Sequence, residues 1–282
     1  MKLGEMTLTT ISGGRFRIDG GTMFGVVPKL LWNPIFPADD RNTIAQATNC
    51  VFVQTGERNV LIDTGYGSKL SEKQQKVFTS EAGDPLVSSL LAVGVQASEI
   101  DTVVLSHLHF DHAGGATRKA ESGNLVPTFP NAEYVAQRQE WNNATSGVPE
   151  LRSAYPIDNL LPLEDSGQLK LVEGDVEVIP GIRFMVTGGH TAAHAVVFIE
   201  SAGETAVFLA DICPSWRHLR TLWCMAYDVD LLQVRREKPK LLGDIADNGW
   251  LALSDHDPDH AAARIARDDR RDFVTTELIE RL

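Results

Sequence analysis

No run of about 18 or more apolar residues occurs in this sequence, so a hydrophobic membrane-spanning helix is not expected. Cysteine is scarce: Cys50, Cys213 and Cys224 are the whole supply, no two form a CxxC, and the number is odd. That pattern argues against a disulfide framework or a cysteine-based zinc site and fits reduced thiols in a cytoplasmic protein. Positive charge is also short. Lys and Arg number 26 against 38 Asp and Glu, giving a net charge of −12. A surface that tracks nucleic-acid phosphates needs clustered basic residues, so no nucleic-acid partner is expected. The late "DDRRD" is mixed in sign and reads as a solvated face. The opening "MKLGEMTLTTISGG" has an early glutamate and no continuous apolar stretch, so no secretory leader is expected there. A GxSxG serine elbow is missing, and no linker, repeat or low-complexity tract divides the 282 residues.

What is present are short apolar runs separated by turn formers. "CVFVQTGERNVLIDTG" predicts a hairpin with strands Cys50–Gln54 and Val60–Asp63 about the turn Thr55–Asn59. "IDTVVLSH" predicts a strand buried on both faces. "AEYVA", "LKLVEGDVEVIPGIRFMVTG", "AHAVVFIES" and "TAVFLADI" read as further strands. Helical patterns lie between them, roughly at Ser71–Thr79, Asp84–Ala92, Gln137–Asn143 and Asp228–Asp247. Another helix is expected near Pro258, with Asp257 as its cap. The mixture predicts an α/β domain of two sheets flanked by helices.

The densest chemistry is "VVLSHLHFDHAGG". In an extended segment residues two apart share a side, so His107 and His109 can chelate one ion together. Asp111 is in phase with them; His112 is not, and the glycines behind it permit a change of direction. The spacing suggests two adjacent ions, one served by His107 and His109, the other by Asp111 and His112. Imidazole and carboxylate ligands without thiolate suit zinc first, with manganese, iron or cobalt also admissible. Three later apolar runs also end in metal-ligating residue types: "MVTGGHTAAH" at His190, "AVFLADI" at Asp211 and "GWLALSDHDPDH" at His256. An aspartate at a strand end is often only a turn residue, but three such ends after one dense cluster point the same way.

Ser106 through His112, "NVLIDTG" ending in Asp63-Thr64-Gly65, "GGHT", "LAD" and the late "DHD" occur in the order found in metallo-β-lactamase fold hydrolases. The resemblance runs from about residue 20 to residue 260. "GGTMFGVVPKLLW", "DDRNTIAQATNCVFVQTG" and the stretch "NAEYVAQRQEWNNAT" through "NLLPL" are similar to the branch of quorum-quenching acyl-homoserine lactonases and methyl parathion hydrolase-like enzymes. The resemblance implies a four-layer αββα sandwich and a single domain over residues 1–282. It implies His107, His109 and His190 on a first ion, Asp111, His112 and His256 on a second, and Asp211 bridging them. Asp63 resembles the aspartate that orients a ligand from behind, and His194 is read as a structural hydrogen-bonding residue. His256 is preferred to His260, which is expected on the helix after Pro258.

The implied activity is hydrolysis by a hydroxide held between two divalent ions, with Asp111 or Asp211 relaying the proton. The expected reaction is opening of an acyl-homoserine lactone-like ring or cleavage of a related ester. An organophosphate triester is the alternative; a glyoxalase II-like thioesterase and a non-catalytic metal-binding module rank behind it. Lactonases of this superfamily often carry a catalytic tyrosine three residues after the bridging aspartate. Ile212, Cys213 and Pro214 follow Asp211 here, which moves the oxyanion donor to a residue such as Tyr227. The apolar segment at about 20–38 is expected to cover the site, with Phe24, Trp32, Phe36 and Trp223 touching the apolar portion of a small substrate. The same segment could instead bury a homodimer face.

Overall fold

A computed structural model describes residues 1–282, and the short apolar runs become the strands of two sheets. The first half of the chain supplies β1 (Lys2–Leu3), β2 (Met6–Asp19), β3 (Thr43–Gln54), β4 (Asn59–Ile62) and β5 (Thr102–Val104). A small separate hairpin of β6 (Thr117–Lys119) and β7 (Leu125–Pro127) precedes β8 (Glu133–Gln137) and β9 (Leu169–Val172). The second half supplies β10 (Val176–Ile179), β11 (Ile182–Val186), β12 (Ala195–Ser201), β13 (Glu204–Phe208), β14 (Leu251–Leu253), β15 (Ala262–Asp268) and β16 (Asp272–Ile279). One seven-stranded sheet has the order β1-β2-β3-β4-β5-β8-β9, and the other runs β10 to β16 in sequence.

The predicted hairpin is present, with β3 and β4 antiparallel and Val53 opposite Val60. β4, β5 and β8 run parallel, as do β13 and β14, and parallel neighbours need crossovers that helices fill. Leu8, Val53, Ile62, Val104 and Val135 of the first sheet face Phe184, Val197, Phe208 and Leu253 of the second. On the outer face of the first sheet, Phe52, Leu61, Val103 and Tyr134 pack on Leu86 and Leu90 of the helix Pro85–Ala92 and Trp141 of the helix Arg138–Ala144. The outer face of the second packs Phe198, Val207 and Ala252 on Val234, Leu241 and Ile245 of the helix Leu231–Asn248. Helix, sheet, sheet and helix make the four-layer αββα sandwich.

Local chemistry sets the helix ends. Ser71 and Gln74 form a capping box before the helix Glu72–Phe78, and Asp84 caps a helix whose first residue is Pro85. Asp230 caps the long helix, and Gly249 closes it in the left-handed region. No helix is long and apolar enough to cross a membrane.

Two elements differ from expectation. The helix predicted near Pro258 is absent; β15 and β16 form an antiparallel hairpin there. Asp257 does use its carboxylate as a cap, accepting the N–H groups of Asp259 and His260 at 3.1 and 3.0 Å, but it closes a turn and pairs with Arg217. His260 therefore sits in a turn and not on a helix. The fourteen-residue β2 has no counterpart in the sequence reading. A bulge between Ser12 and Arg15 breaks its alternation, and the Gly-Gly inside it reads as a turn.

Candidate metal centre

Each ligand-bearing loop leaves the end of a buried strand. Leu105 is fully buried just beyond β5, and the chain from Ser106 turns out of the sheet into the short helix Phe110–Ala113. His190 follows β11, Asp211 follows β13 in a one-turn helix, and His256 follows β14. These ends converge at one rim of the sandwich.

Two clusters result. In the first, His107, His109, His190 and Asp211 bring one ligand atom each within 4.8 Å of one another. His190 Nε2 lies 3.0 Å from His109 Nδ1 and 2.9 Å from Asp211 Oδ2, and His107 Nε2 is 3.8 Å from the same oxygen. In the second, His112, Asp211, Asp255 and His256 meet in the same way. Asp211 now uses its other oxygen, with Oδ1 at 3.2 Å from His256 Nε2 and 3.7 Å from His112 Nε2. One carboxylate thus gives an oxygen to each cluster.

The donor set fits divalent ions. Bonds of about 2.0–2.2 Å around a tetrahedral ion place the ligand atoms roughly 3.3 Å apart, which is the scale of these separations. His107 Nε2, His112 Nε2, Asp211 Oδ1 and both oxygens of Asp255 are buried with no hydrogen-bond partner. Buried polar atoms are rarely left so, and five at one point mark a place for cations. On four of the five histidines the opposite ring nitrogen is engaged. His107 Nδ1 meets Ser106 Oγ at 3.1 Å, His112 Nδ1 meets Asp63 Oδ2 at 2.8 Å, and His190 Nδ1 meets Asp228 Oδ1 at 2.9 Å. His256 Nδ1 donates to the Ala47 carbonyl at 2.7 Å. Such partners fix the tautomer and turn Nε2 toward the centre.

Electrostatics agree. Burial and then the neighbouring imidazoles hold His107 and His109 well below the usual histidine range, so both are neutral, as ligation requires. Burial also opposes charge on His112 and His190, but the carboxylates together outweigh it, Asp211 with Asp63 and Asp111 lifting His112 to about 9 and Asp211 with Asp228 lifting His190 to about 10. Burial pushes Asp211 up, yet His190, His256 and His112 bring it well below the carboxylate range. Burial lifts Asp255 to about 8. The carboxylates draw positive charge onto these nitrogens, a charge that divalent ions held there would supply in place of protons.

Asp63 stands behind the centre with a positive φ of 56°. Its carboxylate accepts the Ser106 N–H and hydroxyl at 2.8 and 2.7 Å, besides holding His112. His194 accepts the Asp211 N–H on Nε2 at 3.0 Å and contacts Thr187 Oγ1 through Nδ1. Asp111 lies at the edge of the second cluster, 3.5 Å from His256 Nε2 and 4.0 Å from His112 Nε2. Gly114 and Gly115 are there for space, not for a left-handed turn: a Cβ on either would overlap the carbonyl of Tyr66 or Thr64.

Two carboxylates escaped the sequence reading. Asp255 joins the second cluster, 3.3 Å from His256 Nε2 and 3.6 Å from His112 Nε2. It stands in the same strand end as His256, so "SDHD" itself carried the signal. Asp228 lies 38 positions from its partner His190, with nothing in the spacing to link them.

The aromatic residues expected at a rim lie elsewhere. Phe24, Trp32, Phe36 and Trp223 are buried in a cluster of their own with Met23, Ile44 and Met225. Phe24 stacks on Trp32 and His218 at 5.1 and 4.6 Å, and mutual packing satisfies all four rings. The residues this segment exposes are Val26, Leu30, Leu31 and Ile35. Beside His256, Phe16, Phe78 and Phe110 form another aromatic group, with Phe16 5.9 Å from the imidazole. Tyr227 sits 5.7 Å from the His190 ring, with its hydroxyl on Met23 Sδ at 2.9 Å.

The sequence pattern of the metallo-beta-lactamase superfamily matches residues 44–274. The structure of a probable metal-dependent hydrolase from Staphylococcus aureus has a TM-score of 0.91 at 34% identity, covering 99% of this chain and 98% of that one. An N-acyl homoserine lactonase from Bacillus thuringiensis is 31% identical over 172 residues, 57% of this chain and 61% of its own length. The chain thus spans about three fifths of the curated lactonases it matches. AidC, a dizinc quorum-quenching lactonase, has a TM-score of 0.80 at 22% identity, covering 98% of this chain and 96% of that one, a likeness of fold. With the paired clusters and the fold in place, the chain belongs to the metallo-beta-lactamase superfamily.

Proposed function

We propose that this protein opens the ring of a lactone bearing an apolar acyl group, of the N-acyl homoserine lactone kind. The observation that carries a two-ion hydrolase is the single Asp211 carboxylate with one oxygen in each cluster. Relatives named N-acyl homoserine lactonase favour the lactone. His107, His109 and His190 would hold the first ion and His112, His256, Asp111 and Asp255 the second, with Asp211 available to both. Two divalent ions, zinc foremost, supply Lewis acidity for a carbonyl oxygen and make water acidic enough to react near neutral pH.

The chain's own groups do the rest. Asp211 stays ionised and holds position. Asp111 is the more exposed of the site carboxylates, at 13% of its side chain, and takes the proton from the attacking water for delivery to the leaving alkoxide. Tyr227 keeps its proton, because burial and the charges of Asp211 and Asp111 hold its phenol well above the usual range. A protonated phenol beside His190 is the donor for the developing oxyanion, standing in for the tyrosine that Pro214 replaces. Phe110 and Phe78, half-buried beside Phe16, offer an apolar wall for the acyl portion.

The test is hydrolysis by zinc-loaded protein of N-hexanoyl-homoserine lactone, an aryl phosphotriester and a glutathione thioester in parallel. The lactone is expected to give the highest kcat/KM. A higher value for the phosphotriester moves the assignment to that class, and no turnover of any of the three sinks the substrate reading.

A further inference from the structure

Glu140 lies in the first turn of the helix Arg138–Ala144, and its side chain is wholly buried. The carboxylate takes three hydrogen bonds. Oε1 accepts the Leu108 N–H at 3.3 Å and the Tyr155 hydroxyl at 2.8 Å, and Oε2 accepts the Thr191 hydroxyl at 2.8 Å. Leu108 lies between His107 and His109, Thr191 follows His190, and the Tyr155 ring is 4.8 Å from that of His109. One carboxylate on a third segment therefore ties together the two loops that carry the three histidines of the first cluster.

The need for it follows from the backbone. Past Leu105 the chain leaves the sheet, and its buried amides lose their ladder partners. Glu140 satisfies Leu108, and the carbonyl of Ala154, from the same stretch between β8 and β9, accepts the Phe110 N–H at 2.9 Å. A carboxylate can accept from all three at once, whereas an amide has one accepting oxygen and would have to reverse the bond to a hydroxyl, donating to it. An ion held among His107, His109 and His190 would depend on the placement of both loops, whose residues Glu140 bonds directly beside those ligands.

We propose that Glu140 is a positioning residue of the first cluster, fixing the His107–His109 pair against His190 and so governing retention of the ion they hold. This rests on the ligand assignment above. The test dialyses zinc-loaded wild type, Glu140→Gln, Thr191→Val and Tyr155→Phe against graded chelator and measures zinc per chain. Thermal melts and the visible spectra of the cobalt-loaded forms are recorded alongside. Wild type is expected to retain two ions. Glu140→Gln should release one of them at about 10- to 100-fold lower chelator, keep the other, shift the cobalt bands and still melt cooperatively. Thr191→Val and Tyr155→Phe should move the same way by less. A folded Glu140→Gln with the wild-type chelator profile overturns the proposal. If that variant does not fold, wild-type profiles in both single-donor variants overturn it instead. Wild type holding no ions overturns the ligand assignment as well, whereas wild type holding two ions but opening no lactone overturns only the substrate reading.

Discussion

At the scale of single residues, the proposed roles separate groups that would hold ions from groups that would handle protons. Asp211 gives one oxygen to each cluster, so Asp211→Ala is expected to lose bound metal and hydrolysis together. Metal analysis beside the lactone assay checks this, and full activity in that variant would contradict the bridging role. The Tyr227 hydroxyl rests on Met23 Sδ and on none of the cluster's ligand atoms, so Tyr227→Phe should keep both ions while kcat falls roughly 10²-fold, the scale of one lost oxyanion donor. An unchanged kcat would move the donor elsewhere. Asp255 offers two unpartnered oxygens to the second cluster, and Asp255→Asn should weaken retention of that ion and leave the first in place. Equal loss of both ions would show that the clusters do not behave as separate sites.

At the scale of elements, the loop after β4 and the loop after β5 lie backbone against backbone. Thr64 N–H and hydroxyl both donate to the His112 carbonyl, at 2.7 and 2.8 Å, and Gly115 N–H donates to the Gly65 carbonyl at 3.0 Å. Lys69 Nζ donates to the Gly114 carbonyl at 2.6 Å and also to that of Thr117. Asp63 and His112 are thus presented by one doubled loop with no room between its halves. Gly115→Ala places a methyl on the Thr64 carbonyl and is expected to destabilise the fold by about 1–3 kcal/mol while lowering metal retention. Chemical denaturation and metal analysis of the variant check both effects, and a wild-type midpoint with wild-type retention would show that the loops part freely.

At the scale of the whole molecule, His218 is buried where three parts of the chain meet. It stacks on Phe24 of the N-terminal segment, its Nε2 lies 2.9 Å from the Met23 carbonyl, and its own carbonyl accepts from Lys238 of the long helix at 3.1 Å. Burial brings it down to about 3 from an ordinary 6.5. The unfolded chain then binds the extra proton between those values, so stability is complete above about pH 6.5 and is lost as pH falls toward 3. The loss reaches roughly 5 kcal/mol from this group alone. His218→Gln should flatten the fall in denaturant midpoint between pH 7 and pH 4, compared with wild type after chelator treatment of both. Parallel curves would remove His218 from the acid response.

Much of the centre was legible in the sequence because ligands at the ends of buried strands leave a local mark. Leu105 before the histidine run, Val186 before His190, Phe208 before Asp211 and Leu253 before His256 belong to apolar runs that end abruptly in metal-ligating residue types. The sandwich was legible for a related reason, since alternating or continuous apolar runs dictate which faces must be covered. Other features depend on what the folded chain brings together. Asp257-Pro258 has the composition of a helix start, yet Arg217 and the β15–β16 hairpin claim that stretch. Phe24, Trp32, Phe36 and Trp223 are equally apolar on a rim or in a core, and only their neighbours decide. Asp228 and Glu140 act across 38 and 32 positions on His190 and Leu108. The sequence by itself determined most of the strands and the metal-ligating residue types gathered at the site, because each is written in local pattern. Only the tertiary structure decided which carboxylates orient the ligands and which aromatic rings flank the site, because those roles exist only once distant segments are in contact.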